Sequence, residues 1–207
     1  MIEAVVFDFG GVIVDLDFEK AVAAFESIGV ADASQRLDRY RQTGLFFDLE
    51  AGRVSKAEFC RLLGEECGCE ITERDAMYGC LGYFNGVDAR RLELLDVLRE
   101  RCRVFLLSNT NPFVLDWADS AAFSAEGRPV SDYFDALYLS YRIGVLKPDR
   151  AIFDRMTADA GLVPERTLFV DDSADNVAAA RALGFRVYCP KPGEDWRDEV
   201  LRLVETL

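Results

Sequence analysis

Asp8 closes the apolar run Ala4-Val5-Val6-Phe7 and is followed almost at once by a turn-forming pair, Gly10-Gly11. Two later stretches repeat this arrangement. Residues 103–107 run into Ser108-Asn109-Thr110-Asn111, and residues 167–170 run into Asp171-Asp172-Ser173. A fourth stretch, Gly144-Val145-Leu146-Lys147-Pro148-Asp149, sets a single cation just ahead of a helical pattern. These residue types suit phosphoryl transfer. A carboxylate such as Asp8 can act as a nucleophile and accept a phosphoryl group as an aspartyl-phosphate. Asp8, Asp171 and Asp172 offer hard oxygen ligands for Mg²⁺, which takes a few carboxylates together with water and substrate phosphate. Without a cation, three close carboxylates would repel one another. Ser108 and the backbone amides beside it can hold phosphoryl oxygens, while Lys147 offsets the charge that spreads over them in the transition state. Taken singly, each stretch is also ordinary turn chemistry.

The elements that must position these residues follow from the same runs. A run apolar on both faces suits a strand in a parallel sheet covered by helices on both sides. In such sheets ligands sit beyond the carboxyl ends of the strands, so all four stretches would face one crevice. From Asp88 onward the pattern alternates: helix 89–101, strand 103–107, a short strand 136–139, helix 150–160, strand 167–170, helix 177–183, strand 186–188 and an amphipathic helix near 196–204. Pro148 is well placed to start helix 150–160. Residues 112–133 mix a helical part with Gly127 and Pro129. Residues 16–86 differ in kind. They read as successive helices over 18–28, 31–42, 55–67 and 72–84, punctuated by glycines and without a strand pattern. So long a helical block directly after a strand is expected to be an insert rather than a crossover helix. The expected fold is therefore α/β, a three-layer Rossmann-like core with a parallel central sheet (1–15 and 87–207) and an inserted α-helical cap (16–86).

Composition narrows the function classes. The chain has 207 residues, half of them hydrophobic, enough for one sizeable core and a modest insert. Its 37 acidic and 24 basic residues leave a net charge of −13, which argues against nucleic acid or an anionic membrane as partners. It contains no histidine. That excludes His-dependent triads and leaves acid–base work to carboxylates, lysines, tyrosines, thiols or water. Six cysteines offer no CxxC pair, and Cys67-Gly68-Cys69 lacks further ligands at zinc spacing. Free, mostly buried thiols are expected. With no basic region ahead of the first apolar run and no apolar stretch of membrane-spanning length, a cytoplasmic protein is expected.

In order and spacing, Asp8-Phe9-Gly10-Gly11-Val12, Leu107-Ser108-Asn109, Lys147-Pro148 and Asp171-Asp172 through Asn176 resemble the four motifs of the haloacid dehalogenase (HAD) superfamily. The helical insert after the first motif resembles that family's cap. Thr43 through Ser55 and Tyr138 through Gly144 further resemble the bacterial sugar-phosphate phosphatase branch that includes a glucose-1-phosphate phosphatase. The resemblance implies a Mg²⁺-dependent phosphomonoesterase acting on a small phosphorylated metabolite. It implies Asp8 as nucleophile and metal ligand, the Gly10 carbonyl as a second ligand, and Asp171 and Asp172 completing the shell directly or through water. Ser108 and the amide of Asn109 would bind phosphate, Lys147 would bridge nucleophile and phosphoryl group, and Asn176 would support the metal loop, or else simply cap a helix.

One position departs from the pattern. Phosphatases of the superfamily carry an aspartate two residues after the nucleophile as general acid and base, and here Gly10 stands there. General acid–base help is worth roughly 10²–10⁴ in rate. Asp15, Asp17, water or the substrate are the alternatives for that proton. Gly10 also keeps open a phosphometabolite-binding protein with little turnover, and C–halogen or phosphonate cleavage, the last requiring a cap lysine such as Lys20 or Lys56. Substrate choice is expected to rest on cap residues around Phe46, Phe47 and Glu50, although apolar residues such as the two phenylalanines more often belong to the cap's own core.

Overall fold

The computed structural model describes residues 1–38 and 42–206. In chain order the elements are β1 (Ala4–Phe7), β2 (Val14–Leu16), α1 (Phe18–Ser27), α2 (Ala33–Arg36), α3 (Gly44–Glu50), α4 (Lys56–Cys67), α5 (Glu73–Leu81), β3 (Phe84–Val87), α6 (Ala89–Arg99), β4 (Arg103–Ser108), α7 (Pro112–Ala118), β5 (Ala136–Leu139), α8 (Ser140–Ile143), α9 (Arg150–Ala160), β6 (Thr167–Val170), α10 (Ala174–Ala182), β7 (Arg186–Tyr188) and α11 (Arg197–Thr206).

Five strands form one parallel sheet in the order β5-β4-β1-β6-β7. β1 lies at its centre, in register Phe7 to Leu106 on one side and Phe7 to Val170 on the other. Because side chains alternate along a strand, this sheet feeds two cores. Val5, Phe7, Val104, Leu106, Leu168 and Val170 join one; Ala4, Val6, Phe105, Leu107 and Phe169 join the other with Ile152, Phe153 and Met156 of α9. The first core is closed by α6 and α11 and by Trp196, whose ring packs 5.3 Å from Phe7 and whose indole N–H donates to the Val12 carbonyl at 2.9 Å. It continues without a break through Phe9, Val12 and Ile13 into Phe25, Phe46, Phe59 and Leu63 of the inserted helices. The three-layer Rossmann-like arrangement expected from the apolar runs is present.

Several local expectations are corrected. The insert is not free of strands: its two ends pair as an antiparallel ribbon, Val14 with Val87 and Leu16 with Phe84. β2 (Val-Asp-Leu) and β3 (Phe-Asn-Gly-Val) are interrupted by polar residues or glycine, and their pairing joins segments some seventy positions apart, so they lack the apolar run that marks β1 and β6. For the same reason the helix expected over 72–84 stops at Leu81. Gly44 and Gly52 punctuate the block as expected, with positive φ at each, but between them lies a helix, α3, that the pattern did not mark. The helix expected over 31–42 is a single turn, after which Leu37 is extended; its 39–41 part lies outside the described residues. Pro148 does not start α9. Asp149 caps it, accepting from the N–H of Ala151 at 2.9 Å.

Candidate active site

At β1 the chain changes direction across the sheet, running to β4 on one side and later to β6 on the other. A crevice opens at such a switch point beyond the strand ends. Asp8 sits at its lip, its N–H donating to the Val170 carbonyl at 2.8 Å. Ser108 ends β4, and Asp171 and Asp172 follow β6 directly. Lys147 reaches in from the loop before α9 and is buried. Its ammonium donates to Asp8 Oδ1 at 2.7 Å, Asp171 Oδ2 at 2.8 Å and the Leu107 carbonyl at 2.8 Å. All three of its N–H bonds are thereby used.

The supporting bonds are equally specific. The Asn109 side chain clamps the Lys147 peptide, accepting from its N–H at 2.8 Å and donating to its carbonyl at 2.9 Å. What Asn109 can offer a phosphoryl group is therefore its backbone N–H, not its side chain. Asn176 is no helix cap: Ser173 occupies that position in α10, and the Asn176 amide donates to both oxygens of Asp171, at 3.1 and 3.0 Å. With the Ser173 N–H at 2.8 Å and Lys147, each Asp171 oxygen accepts two bonds. Fully buried, Asp171 is thus a fixed counter-charge to Lys147.

One lysine does not balance three carboxylates. Burial first, and then Asp171 and Asp172, push Asp8 up to about 8 against the opposing pull of Lys147. Burial alone would lower Lys147, but Asp171 and Asp8 outweigh it and hold it above its ordinary value. One oxygen from each of Asp8, Asp171 and Asp172 lies within 4.8 Å of the others, the one such grouping of possible metal ligands among the described residues. Hard oxygen donors at that spacing, with an excess of negative charge, fit a divalent cation. The loop is shaped to bring Asp172 in: Gly11 has φ +76°, and a Cβ there would lie 2.3 Å from Asp172 Oδ2. Only glycine meets both demands.

Two small cavities adjoin this cluster. One, about 90 Å³, is lined by Asp8, Lys147, Asp172 and Asn176. The other, about 100 Å³, runs between Ser108, Asn111, Phe25, Phe46, Tyr83 and Phe84. Gly10, Leu16, Gln42, Glu50 and Asn109 border both. Of the expected specificity residues, Glu50 reaches the crevice, Phe46 serves both the core and the second cavity, and Phe47 lines a separate groove beside Lys147 with Arg53. Gln42, Tyr83, Cys80 and Asn111 were not foreseen; as single polar residues in helical or loop sequence they carry no signal until folding gathers them.

Neither alternative carboxylate for the missing acid lines either cavity. Asp15 pairs with Arg91 at 2.9 Å, and Asp17 caps α1 through the Lys20 N–H at 3.0 Å. The cap lysines are engaged elsewhere as well, Lys56 with Asp116 and Glu73, and Lys20 with the Phe84 carbonyl. All six cysteines are free thiols, but only Cys60, Cys80 and Cys102 are buried; Cys67 and Cys69 are partly exposed and Cys189 is exposed, so the expected burial holds for half of them. No helix among the described residues is long and apolar enough to cross a membrane.

The model of the haloacid dehalogenase-like hydrolases matches residues 2–184, and the chain belongs to that family. It is 52% identical over 200 residues to a D-ribitol-5-phosphate phosphatase of Bacteroides thetaiotaomicron, covering 97% of each chain. Among solved structures it is similar to a protein of Porphyromonas gingivalis described as a predicted HAD-like family hydrolase (TM-score 0.96, 44% identity, all of both chains). It also resembles a variant HAD-family enzyme of Bacteroides thetaiotaomicron in complex with magnesium and inorganic phosphate (TM-score 0.92, 34% identity, 97% of this chain and 99% of that one).

Proposed function

We propose that this protein is a Mg²⁺-dependent phosphomonoesterase that removes the phosphate from a small polyol or sugar phosphate, D-ribitol 5-phosphate or a close analogue. The observation that supports this reading is the gathering of Asp8, Lys147 and Asp172 on one cavity, with Ser108 on the cavity adjoining it and the oxygens of Asp8, Asp171 and Asp172 grouped together. The likeness to the ribitol-phosphate enzyme supports the substrate class.

In this reading Asp8 attacks phosphorus in line with the leaving oxygen and becomes an aspartyl-phosphate, which water then hydrolyses. Lys147 holds the Asp8 carboxylate in its attacking orientation and shares its charge with the phosphoryl oxygens. Ser108 and the Asn109 N–H cradle those oxygens from the end of β4. Asp8, the Gly10 carbonyl and Asp172 would hold Mg²⁺, with Asp171 and Asn176 behind, and the bound ion would supply the positive charge that three carboxylates and a phosphate otherwise lack. The helices of residues 16–86 act as a cap that roofs the crevice and excludes water. Free thiols suit a reducing compartment, and we place the enzyme in the cytoplasm.

The test is phosphate release from D-ribitol 5-phosphate, glucose 1-phosphate and a wider panel of phosphorylated metabolites, with Mg²⁺ or with excess chelator. Mg²⁺-dependent turnover of a polyol phosphate is expected. No turnover of any phosphomonoester would overturn the reading in favour of a binding protein.

A further inference from the structure

An enzyme that cleaves a primary phosphate ester must protonate the oxygen that departs, because an alkoxide is about as basic as hydroxide, whose parent water has a pKa of ~15.7. This inference rests on the phosphatase reading above. Gly10 cannot supply that proton, and Leu16 fills the space a side chain there would enter, its methyls 3.1 and 3.3 Å from the position of a Cβ. Asp15 and Asp17 are held by Arg91 and by the start of α1.

We propose that Glu50, which borders both the phosphoryl cavity and the cavity beyond it, is the general acid and base of this site. A leaving oxygen joins the phosphoryl group to the rest of the substrate, so it must lie where those two cavities meet. Although Glu50 belongs to the insert, its backbone is fastened to the sheet. Buried Ser140, just past β5, donates to the Glu50 carbonyl at 2.7 Å and accepts from the Thr110 N–H, beyond β4, at 3.0 Å. Two residues on, a Cβ at Gly52 would lie 2.1 Å from the Tyr141 carbonyl. The Glu50 backbone is therefore fixed by the segments just past β4 and β5, at a place where the residue borders both cavities.

Its surroundings favour the protonated form. Burial raises Glu50 to about 8, with only the charge of Lys147 opposing. The other titratable groups around it are Asp8 and Asp172 across the crevice, Cys80 of α5, and Tyr83. Burial pushes the Cys80 thiol and the Tyr83 phenol well above their ordinary values, so neither competes as a donor.

In the first step the bond from Asp8 Oδ to phosphorus forms, the bond from phosphorus to the leaving oxygen breaks, and the Glu50 proton passes to that oxygen, giving the alcohol and a Glu50 carboxylate. In the second, a water oxygen bonds to phosphorus, its proton returns to Glu50, and the bond to Asp8 breaks, releasing inorganic phosphate and restoring both carboxyl groups.

The experiment compares wild type and Glu50→Gln on D-ribitol 5-phosphate and on 4-nitrophenyl phosphate, whose leaving group needs no proton. The variant is expected to lose roughly 10²–10⁴ in kcat/KM on the alkyl ester and less than tenfold on the aryl ester. It should also release a burst of nitrophenol stoichiometric with enzyme, because hydrolysis of the phosphoenzyme has lost its base. Equal losses on both esters, or a change in KM alone, would overturn the role of Glu50. Should the variant not fold, wild type decides: kcat/KM is expected to be nearly independent of leaving-group pKa across phenyl and alkyl phosphates, and a steep dependence overturns the proposal. Wild type inactive on every ester would instead overturn the phosphatase reading itself.

Discussion

Asp8 and Glu50 are two carboxyl groups on one crevice, and burial lifts both to about 8, yet their neighbours differ in kind. Asp8 stands in a charged network: Lys147 at 2.7 Å, the Phe9 N–H at 2.7 Å on the same oxygen, and two further carboxylates behind. Glu50 faces that network across the cavity it shares with Asp8, Lys147 and Asp172, but on its other side the lining, Phe46, Leu49, Gln42 and Tyr83, is apolar or neutral. The floor of the site is thus an electrostatic unit whose members depend on one another, while the roof is a shaped enclosure with a few polar groups. Floor substitutions should damage every phosphate ester alike. Roof substitutions should change which esters are cleaved.

The largest effect is expected for Asp8→Asn. The amide fills the same space but cannot attack phosphorus, so turnover on alkyl and aryl phosphates should fall together by about 10⁴-fold or more. Steady-state assays decide this, and ordinary activity would remove Asp8 from its role.

Lys147→Met comes next and should register in stability as well as rate. Removing one partner of a buried ionic network costs about 3–5 kcal/mol, because Asp8 and Asp171 would remain buried without a counter-charge. Urea unfolding at neutral pH, in chelator, measures it; an unchanged midpoint would mean that the network is not the unit described here.

The roof carboxyl predicts a pH dependence of opposite sense to that of a salt-bridged acid. Glu50 keeps its proton in the folded chain from its ordinary 4.5 up to about 8, whereas the unfolded chain loses it near 4.5. The folded state therefore binds more protons in that window, and stability falls as pH rises through it. Glu50→Gln should flatten the decline in metal-free protein and stabilise it at pH 8, by at most about 5 kcal/mol at 1.36 kcal/mol per pKa unit. Thermal unfolding between pH 5 and 8 would show the change in slope; identical slopes would place Glu50 in a wetter setting than its cavity indicates.

Tyr83→Phe should have the smallest effect. It removes a hydroxyl that donates to the Asp38 carbonyl at 3.3 Å and accepts from Gln42 at 3.3 Å, worth about 1 kcal/mol. Polyol and aryl phosphates should respond differently in KM, with kcat on aryl substrates little altered. A large loss common to both would erase the distinction between roof and floor.

The floor was legible in the sequence, and the roof largely was not. Apolar runs that end in Asp8, Ser108 and Asp171-Asp172 mark buried parallel strands by themselves, and the geometry of a parallel sheet sends such ends to one edge. The expected convergence with Lys147 therefore needed no distance information beyond the strand order. What each floor residue does there was less visible. Asp171 turned out to be saturated by Lys147, Ser173 and Asn176, and the Asn109 side chain to be spent on the Lys147 peptide, because a one-dimensional pattern does not show which lone pairs are already taken. The ribbon of β2 and β3, the short helix α3 and the placement of Glu50 depended on contacts between segments far apart in the chain. Leu16 meets Phe84, Glu50 meets Ser140, and Gly52 meets Tyr141. No periodicity or spacing encodes such meetings. Local sequence sets a residue's secondary structure and its preference for burial, but which side chain faces a given crevice is decided only when the helices of the insert pack against the sheet and one shared core forms.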